Sequence, residues 1–154
     1  MLADFNTLPV SSRIWLYAAE KALTTEQQKH ILTYIAEHLK GWNAHKAPLT
    51  AGVTILENHF IVVALDEGKN GASGCSIDTL QKKIQELEKD LSIALMNRLN
   101  VFCKIGEGIK VIPSFKLGDI ANKDTLFYDL TIQRKEELSN YLKPIKEGWT
   151  KSYL

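Results

Sequence analysis

Cysteine is scarce in this chain of 154 residues, which contains only Cys75 and Cys103. Two cysteines are too few for the disulfide framework of a small secreted protein. The opening stretch, MLADFNTLPVSSR, lacks the basic and apolar segments of a secretory signal peptide. We therefore predict a location in a reducing cytoplasm.

Long apolar runs and an excess of one charge are also missing. The longest strongly apolar run is FIVVAL, residues 60–65, far shorter than the ~20 residues that span a bilayer. Nineteen Lys and Arg residues stand against eighteen Asp and Glu residues, a formal net charge of +1, so the strong positive field of nonspecific nucleic-acid binders is absent. We predict neither a membrane nor a nucleic acid as partner.

The motifs of nucleotide and metal chemistry are absent as well. The loop EGKNGASGCS contains glycines and Lys69, but a P-loop requires G-x-x-x-x-G-K-[ST], with the lysine beside the helix. The chain also has no dinucleotide G-x-G-x-x-G, no C-x-x-C and no H-E-x-x-H. We predict no cofactor, no metal and no P-loop ATPase activity.

The residues that are present predict a folded domain of mixed α and β structure. Hydrophobic residues make up 45% and charged residues 24%, as in ordinary globular proteins, and no linker divides residues 1–154, which predicts a single domain. Apolar periodicity and turn residues predict strands at 13–19 and 100–105, a helix from a Thr24 cap to Gly41, a hairpin within 51–67 and a helix from Ile77.

This order predicts an α+β fold, a ferredoxin-like βαββαβ sandwich with strand order 4-1-3-2. An extra strand at 109–113 and a helical C-terminal tail would follow, and a three-layer α/β arrangement is the alternative. Because both faces of FIVVAL are apolar, the sheet face without helices would need the tail or a partner as cover. A homodimer is the partner that we infer.

The loop from Asp66 to Asp78 is the best candidate site. It leads into the second helix, where unpaired N–H groups and the positive dipole end attract anions. Ser76 or Asp78 would cap this helix; a purely structural loop is the alternative to a small anionic ligand. The candidate ligand-binding residues are Ser73, Gly74, Ser76, Asp66, Glu67 and Trp42.

Cys75 lies in the same loop, where a helix N-terminus lowers the pKa of a thiol that points at it. With His45 as the base, it would be the catalytic nucleophile; His38 and His59 are other possible bases. A packed, inert thiol is the alternative. Cys103 alternates with apolar residues on a strand and is predicted to be core.

Several stretches resemble a family of small bacterial proteins. They are SRIWLY near the start, the W-x-x-H stretch from Trp42 to His45, ASGCSID in the glycine-rich loop, and the ending W-x-K-S-Y-L. The family is uncharacterised, and some members are labelled "ABC transporter ATPase"; the resemblance implies no residue role, and the Walker pattern is missing here.

Taken together, the sequence favours a non-enzymatic binding or interaction domain with a small-ligand site at the glycine-rich loop. The alternative is a thiol-dependent enzyme or redox protein that uses Cys75. A third possibility is a structural module whose apolar sheet face pairs with another chain.

Overall fold

The computed structural model describes all residues, 1–154, and the chain forms two compact units. Unit 1 comprises residues 1–96 and 133–136, and unit 2 comprises residues 97–132 and 137–154. Helices and antiparallel sheets make the fold α+β, as predicted. None of the helices has the length and apolar character needed to cross a bilayer. The single domain over 1–154 stays a prediction.

Unit 1 is built on a three-stranded antiparallel sheet with two helices. In chain order its elements are β1 (Arg13–Ala18), α1 (Thr25–Lys40), β2 (Asn43–Ala44), β3 (Ala47–Pro48), β4 (Ala51–Leu56), β5 (Phe60–Leu65) and α2 (Gly74–Leu91). The sheet order is β1-β5-β4, so the most apolar strand is central. The predicted first strand, first helix and hairpin are confirmed, and β2 and β3 add a second, very short hairpin.

The two helices of unit 1 bury their apolar faces in one core. At the start of α1, Thr24 and Gln27 form the predicted reciprocal capping box. Apolar side chains spaced by three and four residues then fall on one face of each helix. The core includes Ile31, Ile35 and Leu39 of α1, Leu80, Ile84 and Leu87 of α2, and Ile61, Val63 and Leu65 of β5.

Helix α2 begins earlier than the sequence pattern predicts. Its N-cap is Ser73, which exchanges hydrogen bonds with Ser76 in a capping box. The predicted caps, Ser76 and Asp78, are therefore inside the helix, and Cys75 belongs to its first turn. Several residues near the start of α2 could serve as its N-cap. The helix begins after Ser73 because the reciprocal Ser73–Ser76 pair satisfies two backbone N–H groups at once.

The second face of the unit 1 sheet is covered within the single chain. Phe60, Val62 and Ala64 are all 0% exposed. The N-terminal segment contributes on β4, since a Cβ on Gly52 would lie 2.6 Å from the Ala3 carbonyl oxygen and 2.9 Å from the Phe5 nitrogen. The exposed apolar face that prompted the homodimer prediction is thus not present.

The predicted four-stranded sheet is only partly right. The order β1-β5-β4 corresponds to the 1-3-2 part of 4-1-3-2, but the predicted fourth strand is β6 (Asn100–Ile105), which belongs to the sheet of unit 2. Other backbone groups pair with part of the outer edge of β1. The Ile14 amide donates to the Gln133 carbonyl at 3.0 Å and the Ala18 amide to the Leu95 carbonyl at 2.9 Å.

Unit 2 has a four-stranded antiparallel sheet of its own. After β6 come β7 (Gly108–Pro113), α3 (Leu117–Ile120), β8 (Leu126–Tyr128) and β9 (Leu142–Pro144), and the sheet order is β7-β6-β8-β9. The predicted helical tail is partly wrong, because β8 and β9 lie within it beside short 3₁₀ helices. The core consists of Val101, Cys103, Ile112, Leu117, Phe127 and Ile145.

Candidate functional site

A pocket of about 310 Å³ lies in unit 1, where the C-terminal end of α1 and the β2–β3 hairpin meet the N-terminal end of α2. It brings together most of the residues that the sequence singled out separately. No carboxylate is among its lining residues, which are His38, Gly41, Trp42, Asn43, His45, Ser73, Cys75, Ser76 and Thr79.

Trp42 connects the two walls of this pocket. Its indole Nε1 donates a buried hydrogen bond of 2.8 Å to the carbonyl of Ser76, in the first turn of α2. The ring is only 2% exposed and packs edge-on against Trp15, with centroids 5.7 Å apart. Trp42 therefore fixes the start of α2 against the end of α1, and it presents little of its own surface to a ligand.

The first turn of α2 leaves two backbone donors unpaired. The Ser73 amide donates to the Ser76 hydroxyl oxygen at 2.8 Å, and the Ser76 amide donates to the Ser73 hydroxyl oxygen at 3.1 Å. The N–H groups of Gly74 and Cys75 make no hydrogen bond within the chain. No acidic residue occupies the first turn, so the positive end of the helix dipole is not neutralised there.

The hydroxyls of the capping box differ in what they can offer a ligand. Ser76 is 2% exposed, and its hydroxyl already donates to the Ser73 carbonyl at 2.8 Å. The Ser73 hydroxyl oxygen accepts from the Ser76 amide and keeps its own proton for another acceptor. Of the two predicted serines, Ser73 is the one that can donate into the pocket.

The two cysteines lie in opposite environments. Cys75 is an exposed free thiol that lines the pocket, whereas Cys103 is a free thiol buried in the core of unit 2. Burial raises the pKa of the Cys103 thiol to about 11, because a low-polarity environment disfavours the thiolate. The prediction that Cys103 is core is confirmed.

Two histidines approach the pocket from different elements. His45 is exposed in the two-residue β2–β3 turn, where it and Lys46 adopt φ values of 51° and 70°. His38 lies on α1, one turn before Trp42, and its Nε2 atom is buried without a hydrogen-bond partner. Burial, with a smaller contribution from the positive charge of Lys83, lowers the pKa of His38.

Sequence reasoning named His38 only as one of three possible bases for Cys75 and did not include it among the ligand-binding residues. It shares a helical face with Trp42, which predicts a role in the core just as well as a place in a pocket. The only available signal was the spacing His38, Trp42, His45 across the end of the helix. In the structure no three His, Cys, Asp or Glu side chains are grouped closely enough to hold a metal ion, so His38, His45 and Cys75 are not a ligand set.

Asp66 and Glu67 lie apart from the pocket lining, at the start of the glycine-rich loop. The Glu67 carboxylate lies 3.2 Å from the Arg134 guanidinium and 3.9 Å from that of Arg13. Asp66 accepts a hydrogen bond of 3.0 Å from the Gly68 amide. Both carboxylates therefore have local partners that hold the loop in place.

The pocket offers hydrogen-bond donors and no carboxylate, together with one thiol that can act as a nucleophile. Backbone amides, a hydroxyl and imidazoles can donate hydrogen bonds to a negatively charged acceptor. Comparisons of this chain with protein-family models, with curated proteins and with solved structures found no match.

Proposed function

We propose that unit 1 binds a small anionic ligand in this pocket and that the protein is a binding or interaction domain. The observation that supports this most directly is the pair of unpaired N–H groups, on Gly74 and Cys75, at the end of α2 that borders a pocket without carboxylates. A volume of about 310 Å³ is at the small end of the range for ligand pockets, roughly 300 to 1,000 Å³.

Gly74 allows a direct test of the backbone donors. Gly74→Pro removes one N–H at the first helical position, where proline is well tolerated, and Ser73 is already extended, as the residue before a proline prefers to be. Gly74→Ala is the matched control, since it keeps the N–H and its Cβ would meet nothing within 4 Å. Titration with sulfate, followed by amide chemical shifts, measures the affinity.

We expect sulfate to shift the amide resonances of residues 73–76 in the wild type. Gly74→Ala should bind as the wild type does, and Gly74→Pro should bind about tenfold more weakly, the loss expected for one charge-assisted hydrogen bond of about 1.4 kcal/mol. If sulfate leaves these resonances unchanged in the wild type, or if the proline and alanine variants bind equally, the proposal is wrong.

A second candidate function is thiol chemistry at Cys75. The observation that favours it is that this exposed thiol lines the same pocket as His38 and His45. In this version His45 or His38 would accept the thiol proton, and the first-turn amides of α2 would stabilise negative charge that develops on a substrate oxygen.

Alkylation rates measured against pH test the thiol function, with mass spectrometry to locate the label. Buried Cys103 is an internal reference that should react only on unfolding. Rapid labelling of Cys75, with an apparent pKa well below the ordinary ~8.5 that rises in His45→Gln, supports an activated thiol. Labelling at the rate of a small free thiol excludes it.

The finer points of fold and assembly are proposals as well. We propose that unit 1 is a ferredoxin-like βαββα unit in which the fourth strand is missing, supported by the strand order β1-β5-β4. A cytoplasmic homodimer and the resemblance to the small bacterial family stay predictions from the sequence. Sedimentation velocity, with a monomer as the contrary outcome, tests the dimer.

A further inference from the structure

His38 has a buried ring atom without a partner. Its Nε2 is shielded from solvent and makes no hydrogen bond with the protein, and the residue lines the pocket. Folded proteins seldom leave a buried polar atom unpaired, so such an atom calls for a specific explanation. Because Nε2 is shielded in the free protein, the side chains around it must shift before a group in the pocket can supply the missing partner.

The charges around His38 indicate which kind of group fits. Lys83 on α2 acts on the imidazole with positive charge. Cys75 on α2 and His45 on the β2–β3 turn are the other titratable groups of the pocket lining. On α1 itself, the nearby Glu37 is exposed and pairs with Lys40 at 2.9 Å. No carboxylate lines the pocket to accept a hydrogen bond from His38, so a ligand oxygen with negative charge fits best.

We propose that His38 is a ligand-binding residue that donates a hydrogen bond from Nε2 to one oxygen of a small oxyanion, while the first-turn amides of α2 bind another oxygen. The ligand class is therefore an anion with at least two acceptor oxygens, a carboxylate or a phosphate-like group. This inference rests on the proposed anion site and adds to it the residue that selects an oxyanion.

Proton uptake follows from this arrangement. In the free protein, burial and Lys83 favour the neutral imidazole, and a bound anion favours the imidazolium because opposite charges attract. The pKa of His38 is then higher in the complex than in the free protein. Affinity rises as pH falls through the His38 pKa of the complex, and it levels off below the His38 pKa of the free protein.

Binding of sulfate and of acetate, each measured at several pH values, tests the proposal. The charge of sulfate does not change near neutral pH, so a slope in its affinity reports on the protein. Sulfate represents a phosphate-like ligand and acetate a carboxylate, and the tighter binder identifies the source. His38→Gln keeps a donor but cannot titrate, and His30→Gln is the control, because His30 is exposed on the same helix and does not line the pocket. His45→Gln tests whether a pH slope comes from the other histidine of the pocket instead.

We expect the affinity for the tighter anion to fall about tenfold in His38→Gln, with the pH dependence lost, while His30→Gln keeps both the affinity and its pH dependence. In the wild type, the imidazole proton resonances of His38 should titrate at higher pH when the anion is bound, a readout that needs no substitution. Three results overturn the role of His38 and leave the anion site standing. They are unchanged binding in His38→Gln, a His38 titration that the anion does not move, and a pH slope that disappears in His45→Gln. No binding by the wild type overturns the anion site as well.

Discussion

Asp129 in unit 2 shows how one buried carboxylate can become a source of stability. It is 8% exposed, accepts hydrogen bonds from the amide and hydroxyl of Thr131, and lies 3.0 Å from the ammonium of Lys143. Burial by itself raises the pKa of Asp129, but the hydrogen bonds from Thr131 and the charge of Lys143 outweigh burial, and the pKa is lowered. The folded state therefore binds the Asp129 proton more weakly than the unfolded state does.

Asp129→Asn should reduce the free energy of unfolding by about 1–2 kcal/mol at neutral pH, because a charge-assisted hydrogen bond is lost. Since the folded pKa is the lower one, this stabilisation is fully present above the unfolded value of ~3.9 and disappears as pH falls through the folded pKa. Urea denaturation at neutral and at acid pH measures this stabilisation.

Asp124→Asn is the control. Asp124 pairs with Lys146 at 3.1 Å but is exposed, so the loss of this ion pair should reduce the free energy of unfolding by only about 0–1 kcal/mol. Equal losses in both variants would contradict the argument.

The β2–β3 turn requires a left-handed backbone at two positions that are not occupied by glycine or asparagine. Both of its loop residues, His45 and Lys46, have positive φ, the region that type I′ hairpin turns require and that asparagine and glycine adopt most easily. Side chains with a Cβ are strained there. The turn places His45 at the pocket, so a local cost in stability accompanies the placement of a pocket residue.

Lys46→Gly should raise the free energy of unfolding by about 0.5–1 kcal/mol, because relief of the left-handed strain exceeds the extra entropy of glycine in the unfolded chain. Lys46→Ala removes the same charge and keeps the Cβ, so it should show no such gain. Chemical denaturation of both variants measures the difference. A glycine variant that is no more stable than the alanine variant would show that the turn is not strained.

The whole molecule has two units, and each of them has its own buried core. In unit 2, packing leaves no room for a side chain at Gly148, since a Cβ there would overlap the ring of Phe127. Phe127 is 0% exposed and belongs to the core of that unit, so its ring has little room to move.

Gly148→Ala should therefore destabilise unit 2 by about 1–3 kcal/mol, the usual cost of overpacking. Hydrogen exchange resolved along the chain should show the loss of protection in β6 and β8. Gly108→Ala is the matched control in the same unit, because its Cβ would meet nothing within 4 Å. Unchanged protection in Gly148→Ala would mean that the Phe127 ring can shift without cost.

The site illustrates the limits of prediction from sequence. Trp42, His45, Ser73 and Cys75 were each predicted from local features: a helix end, a W-x-x-H stretch, a glycine-rich loop and a thiol near a helix start. Their common pocket depends on how α1 and α2 meet. His38 was named only as a possible base and not as a ligand-binding residue, because an imidazole on an apolar helix face gives the same pattern whether it is core or ligand-binding.

The sequence by itself determined the two long helices apart from the start of α2, the five six-residue strands, the Thr24 cap, the burial of Cys103 and the lack of a bilayer-spanning helix. These features depend on residues within a few positions of one another. Only the tertiary structure decided that β6 joins a second sheet, that Glu67 pairs with arginines and that His38 has an unpaired buried nitrogen. These outcomes depend on contacts between residues far apart in the chain, on which local periodicity carries no information.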